Sequence, residues 1–165
     1  MSSTALGQGM RVVVLDTNIV LDLFLFQDPR TVVLREQLQS CELIWHATAH
    51  MRNELERVLT YAHIAAKLSF YKKSSQDILA AFDRFAQITP EPSAKAPYTC
   101  KDTDDQPFID LACDIAGQSA SSIAGQGSSA DAALWPKIQL ISKDKAVLSM
   151  RKRLEKLSVI VTMTL

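Results

Sequence analysis

Apolar residues along this chain alternate between short β-branched runs and helix-spaced stripes. Residues 11–15, RVVVL, form a compact apolar block, the pattern of a strand buried in a parallel sheet. Ile19, Val20, Leu23 and Phe24 then recur at helical spacing. Pro29 ends or restarts that element, and a second helix is expected over about 29–40. ELIWH, about 42–46, reads as the next strand. Leu55, Val58, Leu59 and Ala62 mark a long helical region, and Ser74 or Ser75 caps a helix ending near Gln87 with Ile78, Leu79, Phe82 and Phe85 on its apolar face. TPEPSAKAPYTC, 89–100, carries three prolines and is expected to be a loop. A helix is expected from Thr103 or Asp104, with Pro107 in its first turn, where proline is tolerated. KIQLIS (137–142) and SVIVTM are strands flanking a basic helical stretch, 144–157.

This alternation of strand, helices, strand, helices, strand, helix and strand predicts an α/β protein. It is expected to be a three-layer α/β/α domain with a mostly parallel central sheet. Residues 1–9 are expected to be a disordered tail and 10–165 a single domain. GQSASSIAGQGSSAD, 117–131, is expected to be a flexible insertion within it. Right-handed crossovers place the strand carboxyl ends along one edge, where open α/β sheets bind their ligands.

Composition narrows the partners only slightly. Formal net charge is zero, with 47% apolar and 22% charged residues, so no global basic field points to nucleic acid. Three widely spaced cysteines do not form a disulfide framework. MSSTALGQGM lacks the features of a secretory signal, and no run of eighteen apolar residues occurs. A cytoplasmic protein without a membrane span is therefore expected.

The acids change the picture. Asp16 directly follows the first strand and Glu54 lies in the long helical region. Asp102, Asp104 and Asp105 cluster after the proline loop, and Asp144 follows the KIQLI strand. Each has an ordinary reading: a helix cap for Asp16, a solvated acid for Glu54, dipole-favouring acids at 102–105, and a turn for Asp144. Together they occupy strand ends and helix starts, which share one edge in a parallel α/β domain. Converging carboxylates repel one another unless a cation joins them, and a hard divalent ion, Mg²⁺ or Mn²⁺, prefers oxygen ligands. The chemistry implied is phosphodiester hydrolysis. Asp22, six residues after Asp16, is expected to face solvent or to pair with a basic side chain.

RVVVLDTNIVLD, MRNELERVL, CKDTDDQPFIDLA and LISKDKAVL, in this order, resemble the motifs of PIN-domain ribonucleases, in particular the toxin components of toxin–antitoxin systems. The resemblance implies four catalytic acids, Asp16, Glu54, Asp105 and Asp144, with Asp102 as an additional metal ligand. It implies Thr17, Asn18 and Ser142 as supporting residues. Mg²⁺ or Mn²⁺ is the implied cofactor and single-stranded RNA the implied substrate. An antitoxin is the implied partner, and a homodimer is a further expectation. Thr103 and Gln106-Pro107 depart from the family pattern, as does the glycine-rich stretch.

Phosphates would be held by Lys143, Lys145, Arg151, Lys152 and Arg153 beside the fourth acid and by Arg52 near the second; a solvated helix face explains the 151–153 run equally well. His46 and His50 have an i, i+4 spacing, but the glutamate of a zinc-protease motif is absent between them. A phosphatase with an aspartate after its first strand would want a second one two residues on, where Asn18 stands. A non-catalytic PIN-fold module binding RNA or protein is the alternative from a different class.

Overall fold

The computed structural model describes residues 11–124 and 138–165, with the backbone alone over 119–124. The chain runs β1 (Arg11–Leu15), α1 (Thr17–Leu21), a π-helical turn (Asp22–Phe26), a 3₁₀ turn (Pro29–Thr31), α2 (Val32–Gln39), β2 (Leu43–Ala47), α3 (Ala49–Val58), α4 (Ala62–Phe70), α5 (Ser75–Phe85) and β3 (Ala86–Ile88). It continues with α6 (Gln106–Ala124), β4 (Ile138–Ile141), α7 (Lys145–Leu148), α8 (Arg151–Glu155) and β5 (Val159–Thr162).

The five strands pair in the order β3-β2-β1-β4-β5, and every pairing is parallel. Central β1 buries Val13, Val14 and Leu15 on both faces, as its unbroken apolar run requires. Successive crossovers β1→β2→β3 step one way across the sheet, and β4→β5 steps the other way. Right-handed connections therefore put α1–α5 on one face and α6–α8 on the other, giving the expected three-layer fold. The strand order reverses between β1 and β4, so a crevice opens at their carboxyl ends. Asp16 follows one of these strands and Ser142 the other.

Beneath the α1–α5 layer, Trp45 packs edge-on against Phe82 at 4.8 Å between ring centroids, and Phe24 stacks on Phe85 at 5.8 Å. These rings tie β2 to α5 and to the π-helical turn. Ser74 caps α5 as expected, in a reciprocal pair: its hydroxyl accepts from the Asp77 amide while the Asp77 carboxylate accepts from the Ser74 amide.

Three expectations are corrected. The end of the predicted α5 helix is strand instead: Ala86–Ile88 pairs with β2, Trp45 opposite Ala86, an edge strand too short to carry a period of its own. α6 begins at Gln106 because Asp102–Asp105 close tight turns, Asp105 N–H donating to Asp102 O and Gln106 N–H to Thr103 O. The basic stretch 144–157 breaks into α7 and α8 around Ser149 and Met150. The stretch expected to be a flexible insertion, 117–131, is helical through Ala124. Its first turns are anchored by buried Phe108, Ile109, Leu111 and Ala112, and propagation then gains one bond per residue, enough to absorb Gly117. The remainder of that stretch and the 1–9 tail lie outside the described residues.

Candidate metal centre

Asp16 and Asp144 follow β1 and β4 beside the turn that carries Asp102 and Asp105; Asp102, Asp105 and Asp144 form the close group, and Asp16 acts on Asp105 and Asp144 through its charge. Asp16 stands at the N-cap position of α1 yet makes no regular cap hydrogen bond. Its side chain instead accepts a 2.7 Å bond from Ser142 Oγ. Only 4% of Asp16 is exposed. Burial raises its pKa, the Ser142 hydroxyl and the nearby Asn18 amide oppose the rise, and the Asp144 charge adds to it. Asp16 thus keeps the cap position without a regular side-chain cap bond, and the Asn18 and Thr17 amides favour its ionised form.

Asp144 does cap its helix: Oδ1 accepts from the Ala146 amide at 2.7 Å, and the Asp144 amide donates to Ser142 Oγ at 3.1 Å. One hydroxyl thus orients both ends of the crevice. Asp102, on the turn before α6, accepts from the Asp104 amide at 3.0 Å.

Asp102, Asp105 and Asp144 each bring a carboxylate oxygen within 4.8 Å of the others. Asp105 is 8% exposed, and its Oδ2 is buried with no donor. Burial and then the charges of Asp16, Asp144 and Asp102 push its pKa up to about 7. A buried acceptor without a donor, set among like charges, is what an oxygen-preferring divalent cation would satisfy. The donor set is all carboxylate, which fits Mg²⁺ or Mn²⁺ and not a zinc site built from cysteine and histidine. His46 and His50 do not join it; among the described residues no other group of three or more potential ligands forms.

Glu54, half-buried on α3, lies at the margin. Burial raises its pKa, Arg57 and His50 oppose this, and Asp104 and Asp16 add to it. Arg57 Nη2 approaches Glu54 Oε1 at 3.9 Å. Glu54 is thus partly withdrawn from solvent but stands outside the close acidic group, with Arg57 as its leading charged neighbour.

Two residues at the site carried no assignment from sequence. Asp104 acts on Glu54 electrostatically. Cys100, 3% exposed, sits beside the cluster; burial raises its thiol pKa and the charges of Asp105, Asp102 and Asp144 add to the rise. The CKDTDD run signals both, but its meaning depends on how the turn folds.

The basic candidates divide. Lys145, Arg151, Lys152 and Arg153 are exposed and form no ion pair among the described residues. Arg52 makes two bonds to Asp83, at 2.6 and 2.8 Å, and Lys143 pairs with Asp22. Each would have to leave its carboxylate to reach a phosphate. Asp22 is buried, at 7% exposure, so of its two expected fates it has the ion pair and not the solvent.

A family model described as PIN domain matches residues 12–118. That span includes Asp16, Glu54, Asp102 and Asp105; Ser142 and Asp144 lie beyond it and join the site through the fold. No curated protein and no solved structure matches the chain.

Proposed function

The chain belongs to the PIN-domain family, and from that premise we propose that it is a metal-dependent endoribonuclease cutting single-stranded RNA. The observation that carries this reading is the meeting of Asp102, Asp105 and Asp144 within 4.8 Å, with Asp105 Oδ2 buried and without a donor. Asp16, Asp102, Asp105 and Asp144 would hold Mg²⁺ or Mn²⁺, which when bound supplies a Lewis acid and positive charge against the phosphoryl oxygens.

The chain's own groups do the rest. Ser142 holds the Asp16 carboxylate in one orientation, and Asp144 is fixed by its cap bond to Ala146. Glu54, whose pKa burial raises, would hold a second ion or orient the attacking water. Exposed Lys145, Arg151, Lys152 and Arg153 adjoin the fourth acid in sequence and would hold RNA by its phosphates. Hydrolysis in line at phosphorus would leave 5′-phosphate and 3′-hydroxyl ends.

Purified protein with Mn²⁺ is expected to cleave single-stranded RNA, and Asp16→Asn or Asp144→Asn to abolish cleavage. Retained cleavage by both variants would overturn the assignment. Absence of cleavage by the wild type, with Mn²⁺ still raising its melting temperature, would favour the binding-module alternative.

The toxin role is the finer part of the proposal and rests on the resemblance of the four motifs. Induced expression is expected to arrest growth, and Asp16→Asn to relieve the arrest. An antitoxin is the partner this role requires.

A further inference from the structure

We propose that Asp22 is a positioning residue: by holding Lys143 it sets where Asp144 stands in the acidic cluster. The inference rests on the metal-site reading above and adds to it a residue outside the four acids.

Asp22 opens the π-helical turn, and such turns recur at functional sites. Its carbonyl accepts from the amides of Gln27 and Asp28, and Gln27 takes the left-handed conformation at φ 50°. The backbone that carries the Asp22 carboxylate is therefore closed into a fixed turn. A buried carboxylate needs a cationic partner, and this one has the Lys143 ammonium. Arg30, a second cation acting on Asp22, is committed to Asp28 through two side-chain bonds, at 3.0 and 2.7 Å.

Lys143 stands between Ser142 and Asp144, so three consecutive residues are anchored. Ser142 is bonded to Asp16, Lys143 is paired with Asp22, and Asp144 is bonded to the Ala146 amide. Asp16 and Asp22, one on each side of α1, thus grip adjacent residues of the β4–α7 turn. Releasing Lys143 frees the middle anchor of a turn whose last residue supplies a cluster oxygen. A pair that only neutralised a buried charge would need no such neighbour. Partners that orient metal-holding residues are worth roughly 10- to 100-fold in metal affinity.

The test is a calorimetric Mn²⁺ titration of the full chain as wild type, Asp22→Asn, Lys143→Met, Lys143→Arg and the double variant Asp22→Asn/Lys143→Met. Circular dichroism and the metal-free melting temperature check folding. Each charge-removing single variant is expected to weaken Mn²⁺ binding roughly 10- to 100-fold. The double variant is expected to be no worse than the weaker single, because both delete one interaction. Lys143→Arg is expected to retain affinity. If Asp22→Asn does not fold, the comparison of Lys143→Met with Lys143→Arg decides.

Wild-type Mn²⁺ affinity in Asp22→Asn overturns the inference, as does a lowered melting temperature with affinity intact. Lys143→Met that loses RNA affinity while binding Mn²⁺ normally also overturns it, and makes Lys143 a phosphate contact. A wild type that binds no Mn²⁺ removes the metal-site reading itself, whereas a binding wild type with an unchanged Asp22→Asn removes this inference alone.

Discussion

Ser142 Oγ donates a 2.7 Å hydrogen bond to Asp16 Oδ2 across 126 positions of sequence. The same oxygen accepts from the Asp144 amide. Both residues of the side-chain pair are buried, Ser142 completely, so no water replaces the bond without rearrangement. Ser142→Ala would leave a buried carboxylate short of a donor and is expected to cost about 1–3 kcal/mol. Urea unfolding at pH 7 measures it. A midpoint equal to wild type would show that Asp16 draws nothing from the hydroxyl.

Asp16, Glu54 and Asp105 all bind their protons more tightly when the chain is folded, Asp105 with a pKa of about 7. Raised carboxyls contribute stability that is complete below the unfolded carboxylate range and is lost as pH rises through the folded pKa. Through these three acids metal-free protein is therefore expected to lose stability between about pH 4 and pH 8, the upper part of that loss following Asp105, while His46, whose pKa burial lowers from 6.5, works against the loss in the lower part of the window. Asp28, Asp77 and Asp83 are shifted downward, so their contribution is lost only as pH falls below the ordinary carboxylate range, outside that window. Mn²⁺ binds the ionised acids and should reverse the slope. Melting temperature against pH, with chelator and with Mn²⁺, tests the sign. Asp105→Asn should flatten the chelated curve, and a chelated curve that climbs through the window would contradict the shifts.

Arg151, Lys152 and Arg153 are exposed on α8. If they hold phosphates, replacing all three by alanine in an Asp16→Asn background should lower the salt-dependence slope of RNA binding by about 2, at roughly 0.7 per contact on a single strand. Folding stability should change little, as for other surface substitutions. Anisotropy of a labelled single-stranded RNA across a salt series measures the slope. No change would assign the run to a solvated helix face.

Trp45 is 1% exposed and packs on Phe82 and Phe24. Trp45→Ala is expected to cost about 3–5 kcal/mol. Its indole N–H is buried without an acceptor, so Trp45→Phe deletes no hydrogen bond and should cost far less. Denaturant melts of the two variants separate the packing contribution from the polar one.

Local pattern alone determined much of this protein. Val13, Val14 and Leu15 specify a doubly buried strand, and Ser74 with Asp77 specifies a helix start, because such signals act between residues one or a few positions apart. The order of strands and helices likewise implied a shared edge for Asp16, Asp105 and Asp144. Tertiary structure decided the rest. Ala86–Ile88 became a strand only by pairing with β2. Asp16 gained its buried side-chain donor only when Ser142 reached it. Asp22, at an apolar helical position next to Leu21 and Leu23, could be assigned a partner only once β4 paired with β1 and Lys143, just beyond β4, reached it. The physical reason is distance along the chain: periodicity and capping are local free energies written in neighbouring residues. A buried carboxylate's partner is chosen by sheet order and crossover hand, which no neighbouring residue encodes.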